Sequence, residues 1–264
     1  MADFQNTLFD LSGKSAIITG ASRGIGEAIA RRLAQHGASV TVSSRKLEAC
    51  ESVAASINES EGREAAKAVA ANISHREALE ELVDQHTAQF GAADILICNA
   101  AVNPAYGPSA DLTDEQIDKI FNCNIKANHR LCHLVIPKMA EKGSGAIVII
   151  SSVSAFIGNA NIGMYGVSKA ADLQLARNLA VEHGPSGVRI NCIAPGVVKT
   201  YFAEALWKDP KVEAVMTKQI PMRRFGEPDD VAGAAVFLSS DASAWMNGQN
   251  ITIDGGTLIG FGGM

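Results

Sequence analysis

Tyr165 and Lys169 lie four residues apart, and Ser152 precedes the tyrosine by thirteen. On a helix over 163–183, that spacing puts Tyr165 and Lys169 on one face, a turn apart. A free phenol titrates near ~10, too high for efficient proton transfer at neutral pH. An ammonium beside it favours the phenolate and lowers that value. A hydroxyl from a neighbouring strand, Ser152, would then hold the oxygen of the reacting group. The chemistry implied is acid/base work on an alcohol or carbonyl. Tyr–Lys pairs also occur on exposed helix faces, so the pair takes its meaning from the rest of the chain.

Thr19-Gly-Ala-Ser-Arg-Gly-Ile-Gly26 follows a short apolar run and opens a helical pattern. Gly20, Gly24 and Gly26 remove side chains where backbone would approach a pyrophosphate, and Ser22, Arg23 and Ile25 fill the turn between them. The helix N-terminus offers free N–H groups and a partial positive charge. An unphosphorylated ribose usually meets an acid about 20 residues further on. Here that stretch reads Val42-Ser-Ser-Arg-Lys46, with no acid before Glu48. Ser44, Arg45 and a converging Arg23 suit a 2′-phosphate, because guanidinium forks bind a dianion well. The cofactor expected is NADP(H) over NAD(H). Asn72-Ile73 and Cys98-Asn99-Ala100-Ala101 end two further apolar runs, where a doubly wound sheet forms its ligand crevice.

The elements that must position these residues alternate. Strands are expected near 14–19, 38–43, 66–71, 94–98, 145–151, 187–193 and 249–253, and helices near 24–36, 46–60, 74–90, 113–142, 163–183, 202–219 and 227–239. Near-continuous apolar strands between helices indicate a parallel sheet covered on both faces. The fold class expected is therefore α/β, a Rossmann-type, doubly wound sheet of seven parallel strands, with residues 1–264 as one domain. Thr113-x-x-Gln116 is a capping box, Ser74 a candidate N-cap, and Pro137 should kink its helix or mark its last turns. A Gly-rich tail covers 255–264.

Composition narrows the class. The chain is 47% hydrophobic and 19% charged, with a net charge of −5 and no basic block, which excludes an obvious nucleic-acid surface. The five cysteines are scattered and read as buried apolar residues in a reducing compartment. The six histidines suggest no ligand set, so no metal is expected. The first residues lack a signal-peptide pattern and no run approaches the ~20 apolar residues of a membrane helix. The expectation is a cytoplasmic protein without a membrane partner.

With these motifs assembled, the chain resembles the classical short-chain dehydrogenase/reductase family over essentially its full length. The resemblance rests on Thr19-Gly20-x-x-x-Gly24-x-Gly26, Asn99-Ala100, Asn124, Ser152, Tyr165-x-x-x-Lys169, Asn191-Cys-Ile-Ala-Pro195-Gly196-Val-Val-Lys-Thr200 and Asp254-Gly255-Gly256. It implies Tyr165 as acid/base, Lys169 lowering its pKa and holding the nicotinamide ribose, and Ser152 bonding the substrate oxygen. It further implies Asn124 holding a relay water, with Pro195, Gly196, Val198 and Thr200 positioning the nicotinamide. Basic residues at the positions of Arg23 and Arg45 go with NADP(H) in this family. Two departures stand out: Cys98 and Ala101 alter the usual Asn-Asn-Ala-Gly, and Asn72 replaces a common adenine-contacting Asp. The family also pairs through its two long helices, here 113–142 and 163–183, into homodimers or homotetramers.

Substrate walls are expected from Val102–Tyr106, Ser154–Gly158 and a lid over 201–219. Asn103, Ser154, Phe156, Asn159, Tyr201, Phe202 and Leu206 are the candidate contacts. Their mostly apolar character favours a medium-sized ketone, aldehyde or secondary alcohol. Val42–Lys46 and Ala100–Pro104 resemble NADPH-dependent carbonyl/retinal reductases. The alternatives are a 3-oxoacyl-thioester reductase (of which Arg130 is the only docking hint), then a sugar-acid dehydrogenase, and remotely a non-catalytic NADP-binding sensor.

Overall fold

The computed structural model describes residues 7–260. The N-terminal residues read for targeting, and the tail beyond Gly260, lie outside them. Seven strands form one parallel sheet: β1 (Ser15–Thr19), β2 (Ser39–Ser44), β3 (Ala66–Ala70), β4 (Ile95–Cys98), β5 (Gly145–Ile150), β6 (Val188–Pro195) and β7 (Asn250–Ile253). Their order across the sheet is β3-β2-β1-β4-β5-β6-β7. The chain winds outward in one direction from β1 to β3, then returns to β4 beside β1 and winds the other way. A crevice opens between the carboxyl ends of β1 and β4, where such sheets bind their ligands.

Alternation along the strands builds both faces at once. Ile18, Val40, Val42, Ile95, Ile97 and Val148 face α1 (Gly24–Gln35), α2 (Leu47–Glu61) and, in the last third of the chain, the Pro228–Ser239 helix. Ile17, Leu96, Ile147, Ile149 and Ile190 face the other way, onto α3 (Arg76–Phe90) and two long helices described next. Each fully buried Ile or Leu contributes about 1.5–3 kcal/mol from apolar burial.

The long helix expected over 113–142 is interrupted. α4 (Asp114–Phe121) runs into a single π turn at Asn122–Lys126 and resumes as α5 (Ala127–Lys142). Its start carries the expected capping box: Thr113 Oγ1 accepts from the Gln116 N–H, and Gln116 Oε1 accepts from the Thr113 N–H. Pro137 lies in the exposed last turns of α5. α6 spans Gly163–His183, the bounds expected for it. The helix expected over 202–219 is two pieces, α7 (Glu204–Trp207) and α8 (Pro210–Thr217). Asp209 stops the first and caps the second, accepting from the Lys211 N–H at 2.8 Å, with Pro210 at the first helical position. α9 (Pro228–Ser239) then covers the sheet before β7. Ser74 does not cap α3; His75 takes that place without a side-chain bond, and the Ser74 hydroxyl meets the Cys123 thiol at 3.0 Å. No helix among the described residues is long and apolar enough to cross a membrane.

Candidate active site

β5 delivers the chain to Ser151 and Ser152 at the crevice. Ser151 is fixed by two bonds: its N–H donates to Ile193 O at 2.7 Å and its hydroxyl to Lys169 O at 2.8 Å. Ser152 opens a 3₁₀ turn and accepts from the Ser154 N–H at 3.1 Å. α6 lies close above this turn because Gly166 lacks a side chain; a Cβ there would stand 2.8 Å from the Ser154 carbonyl oxygen. Tyr165 and Lys169 therefore project from α6 toward Ser152. The Lys169 ammonium lies 5.8 Å from the centre of the Tyr165 ring.

Lys169 is only 2% exposed and its ammonium is engaged. It donates to Ile150 O at 2.9 Å and to Asp172 Oδ2 at 3.0 Å. Asp172, fully buried, also accepts at Oδ1 from Asn128 Nδ2 at 3.0 Å. Asn128 donates further to the carbonyl of Asn124, which lies in the π turn, at 2.7 Å. Asn124 itself exchanges two bonds with the Val102 backbone, at 2.8 and 3.0 Å, and donates to Ser168 Oγ at 3.0 Å. Asn124, Asn128, Asp172, Lys169 and Ser168 thus form one buried polar network beneath Tyr165.

Lys169 lowers the Tyr165 pKa as expected, but it does not act alone. Burial pushes the Tyr165 phenol above its ordinary value, outweighing the downward pull of Lys169 and the Ser152 hydroxyl, while Asp172 pushes it further up. Burial opposes the charged form of Lys169, but Asp172 and Tyr165 more than restore it, so its pKa is raised. The lysine that should acidify the phenol shares its charge with a carboxylate at i+3, a partner the sequence reading did not weigh.

The Gly-rich turn stands at the other side of the crevice. Gly20 adopts φ +65°, a conformation that favours glycine, and a Cβ at Gly26 would collide with the Gly20 carbonyl and Asn99 Nδ2. Asn99 Nδ2 donates to Thr19 O at 2.9 Å and Gly20 O at 3.1 Å, clamping β4 to the turn. Ala100 N donates to Thr19 Oγ1 at 3.1 Å. Arg23 precedes α1 without capping it, so that helix terminus carries no side-chain hydrogen-bond cap. Its guanidinium lies 4.0 Å above the Tyr201 ring, a cation–π contact. Arg23 and Arg45 are both exposed, but the structure joins Arg23 to the lid, with no bond to Arg45. Ser22 is half-buried, and Ile25 and Ile73 pack on the two cores. The Ser44 hydroxyl meets Cys50 Sγ at 3.1 Å. Asn72 Oδ1 accepts from the Ser74 N–H at 3.2 Å, so the amide assigned to adenine already closes a turn. Pro195 ends β6 beside Ile253, and Gly196 N donates to Ile253 O at 2.8 Å. Buried Val198 bridges to Gly226.

The lid is tied down by Trp207, whose indole N–H donates to Thr200 O at 2.9 Å. Phe202 reaches the site, its ring centre 5.9 Å from that of Tyr165. Asn103, Ser154 and Leu206 are half-buried. Asn159 is exposed and spends its amide oxygen on the Asn161 and Ile162 N–H groups, turning the chain into α6. Phe156 lies elsewhere than expected: with Ile157, Arg177, Val181 and Leu258 it lines a cavity of about 770 Å³ over α6 and β7, away from Ser152 and Tyr165. All five cysteines are buried and free. Among the described residues no three His, Cys, Asp or Glu side chains gather as a metal site. His129 and His133 do stack one turn apart on α5, with ring centres 4.1 Å apart, a spacing passed over in the sequence.

Together these features define a doubly wound α/β oxidoreductase scaffold with a Tyr–Lys–Ser cluster at its crevice. Comparison with known proteins agrees. A family model described as enoyl-(acyl carrier protein) reductase matches residues 20–257. Dehydrogenase/reductase SDR family member 4 of Sus scrofa is 42% identical over 94% of this chain and 88% of its own length. A 7α-hydroxysteroid dehydrogenase, solved with NADH and 7-oxo glycochenodeoxycholic acid, superimposes with a TM-score of 0.91 at 36% identity, covering 98% of this chain and 99% of that one. A gluconate 5-dehydrogenase of Burkholderia cenocepacia, solved with NADP and tartrate, gives 0.89 at 30% identity, covering 96% and 98%. The chain belongs to the classical short-chain dehydrogenase/reductase family.

Proposed function

We propose that this chain interconverts a carbonyl and a secondary or primary alcohol with NADP(H), acting on an apolar, medium-sized ketone or aldehyde. The observation that carries the reading is the convergence of Ser152, Tyr165 and Lys169 beside the Gly-rich turn. The turn fits a dinucleotide: its glycines clear the backbone, its helix terminus carries no side-chain cap, and Arg23 and Arg45 stand exposed at its rim. Gly20, Ser22, Gly24, Asn99, Pro195, Gly196 and Thr200 would hold the cofactor, which supplies or accepts the hydride when bound. Tyr165 gives its proton to the carbonyl oxygen on reduction and takes it back on oxidation. Ser152 donates a second hydrogen bond where oxyanion charge develops. Asn124 and Lys169 keep the phenol connected to a polar, proton-bearing interior. Phe202 beside Tyr165 and the half-buried Val102 and Leu206 support an apolar substrate. The same reading has α4–α5 and α6 paired between copies.

A 3-oxoacyl-thioester reductase is the second reading; the description of the matching family model shares its acyl-carrier substrate, though it names reduction of an enoyl double bond, not of a 3-oxo group. NADPH oxidation over a panel of aliphatic ketones, steroids, retinoids, acyl thioesters and sugar acids separates the two. Tyr165→Phe should bind NADPH with near-normal affinity and lose turnover by about 100-fold or more. Wild-type rates in that variant would sink the assignment.

A further inference from the structure

Lys169 has a buried acidic companion. A buried ammonium needs a partner, and this one holds Asp172 Oδ2 at 3.0 Å and Ile150 O at 2.9 Å, not the phenol. Asp172 lies on the same face of α6 as Tyr165 and Lys169, completely buried. Its second oxygen is fixed by Asn128, whose amide is fixed in turn by the Asn124 carbonyl in the π turn. The carboxylate therefore has an assigned donor on each oxygen.

We propose that Asp172 is a positioning residue of this site, clamping the Lys169 ammonium in place and opposing its pull on the Tyr165 phenol. The proposal rests on the functional reading above, since it concerns the same Tyr165. Among the described residues, Lys169 is the one cation paired with Asp172. The remaining titratable groups facing it are Tyr165 on α6 and the thiols of Cys98 on β4 and Cys192 on β6, with Cys132 of α5 beside both thiols. Those of Cys98 and Cys192 are pushed up and kept neutral. Arg177, a turn further along α6, acts on Cys192. Asn128 and Ser151 carry no charge. Removing one negative charge from this enclosure favours loss of one proton from the Tyr165–Lys169 pair, so the pair must titrate at lower pH.

The test needs no substrate. Tyr106→Phe/Tyr201→Phe leaves Tyr165 as the sole tyrosine of three, and its near-ultraviolet tyrosinate absorbance is titrated in the unliganded protein. Asp172→Asn keeps an acceptor for Lys169 but no charge. It should bring the tyrosinate transition down by about one pH unit or more, with Asp172→Glu restoring the parent midpoint. A folded Asp172→Asn protein titrating with its parent overturns the proposal. Should Asp172→Asn not fold, hydrogen exchange of lysine ammonium groups in the ¹⁵N-lysine-labelled parent decides. One ammonium protected from water is expected; uniform fast exchange overturns the clamp. Turnover of the parent with the carbonyl panel is scored separately. Its absence would refute the proposed function with the titration still readable, and an unmoved titration would refute the clamp with turnover intact.

Discussion

His86 offers a sharp quantitative check on the packing that supports the site. It is fully buried between α3 and the sheet, its Nδ1 2.8 Å from Thr41 Oγ1 and its Nε2 3.2 Å from Ser15 Oγ. Burial lowers its pKa to about 4; Asp94 pulls upward, while Lys142 and Lys67 add to the lowering. The unfolded chain returns the ring to ~6.5. The folded form is therefore favoured above the unfolded value, and that advantage falls as pH drops toward the folded one, because the unfolded state binds the extra proton. Between pH ~7 and ~5 the loss is about 2 kcal/mol, and the whole contribution is about 3 kcal/mol. Urea unfolding of the parent and His86→Gln at both pH values isolates it, since carboxylates titrate alike in both proteins. The stability difference between them should shrink by about 2 kcal/mol on acidification. A difference independent of pH, or an NMR titration of His86 near ~6.5, would refute the reasoning.

Two predictions concern the cofactor. Gly26→Ala drives a methyl into the Gly20 carbonyl and the Asn99 amide, so it should destabilise the fold by about 1–3 kcal/mol and weaken NADPH binding about tenfold or more. NADPH fluorescence titration reads the second effect, and unchanged affinity would remove the turn from the binding site. Arg23→Ala with Arg45→Ala should lower kcat/KM for NADPH about tenfold or more while sparing NADH, the loss expected for charge-assisted bonds to a phosphate. A parent enzyme preferring NADH would overturn the use of both arginines.

The central strands were legible because a parallel sheet covered on both faces demands short apolar runs, such as Ile95–Cys98 and Ala146–Ile150, while β2, β3 and β7 mix polar residues into shorter runs and were placed by the strand–helix alternation. The start of α4 was legible because Thr113 and Gln116 make its cap from side chains alone. The π turn was not, since Asn122–Lys126 carries no Gly or Pro to mark a break and the extra residue is a property of the backbone ladder. Asn128 is the trace it leaves, a buried amide where a helix core would take an apolar residue. The break between α7 and α8 did have a signal, Asp209-Pro210, overlooked because the flanking pattern is continuously helical. Asn72 and Asn159 were read as ligand contacts from their chemistry; the structure spends both amides on turns, a use that Asn side chains make of the backbone two residues on. Phe156 was placed by its nearness in sequence to Ser152, and the 3₁₀ turn between them carries it to another cavity.

Burial sets the sign of the Tyr165 shift, and Asp172 adds a smaller rise that the spacing of the Tyr–Lys pair leaves out. Positions 165, 169 and 172 share one stripe of α6, since steps of four and three residues both return to the same face of a helix. Reading two of the three yields a phenol beside a free cation. Reading the third changes the electrostatics, because a lysine at 2% exposure cannot keep its charge without a counter-charge or several oxygens around it. The depth that makes Lys169 useful to a buried phenol is the same depth that requires Asp172. A Tyr–Lys pair on a buried helix face therefore poses a question the sequence itself can answer: which acid lies three or four residues beyond the lysine, and how much of the cation does it leave for the phenol.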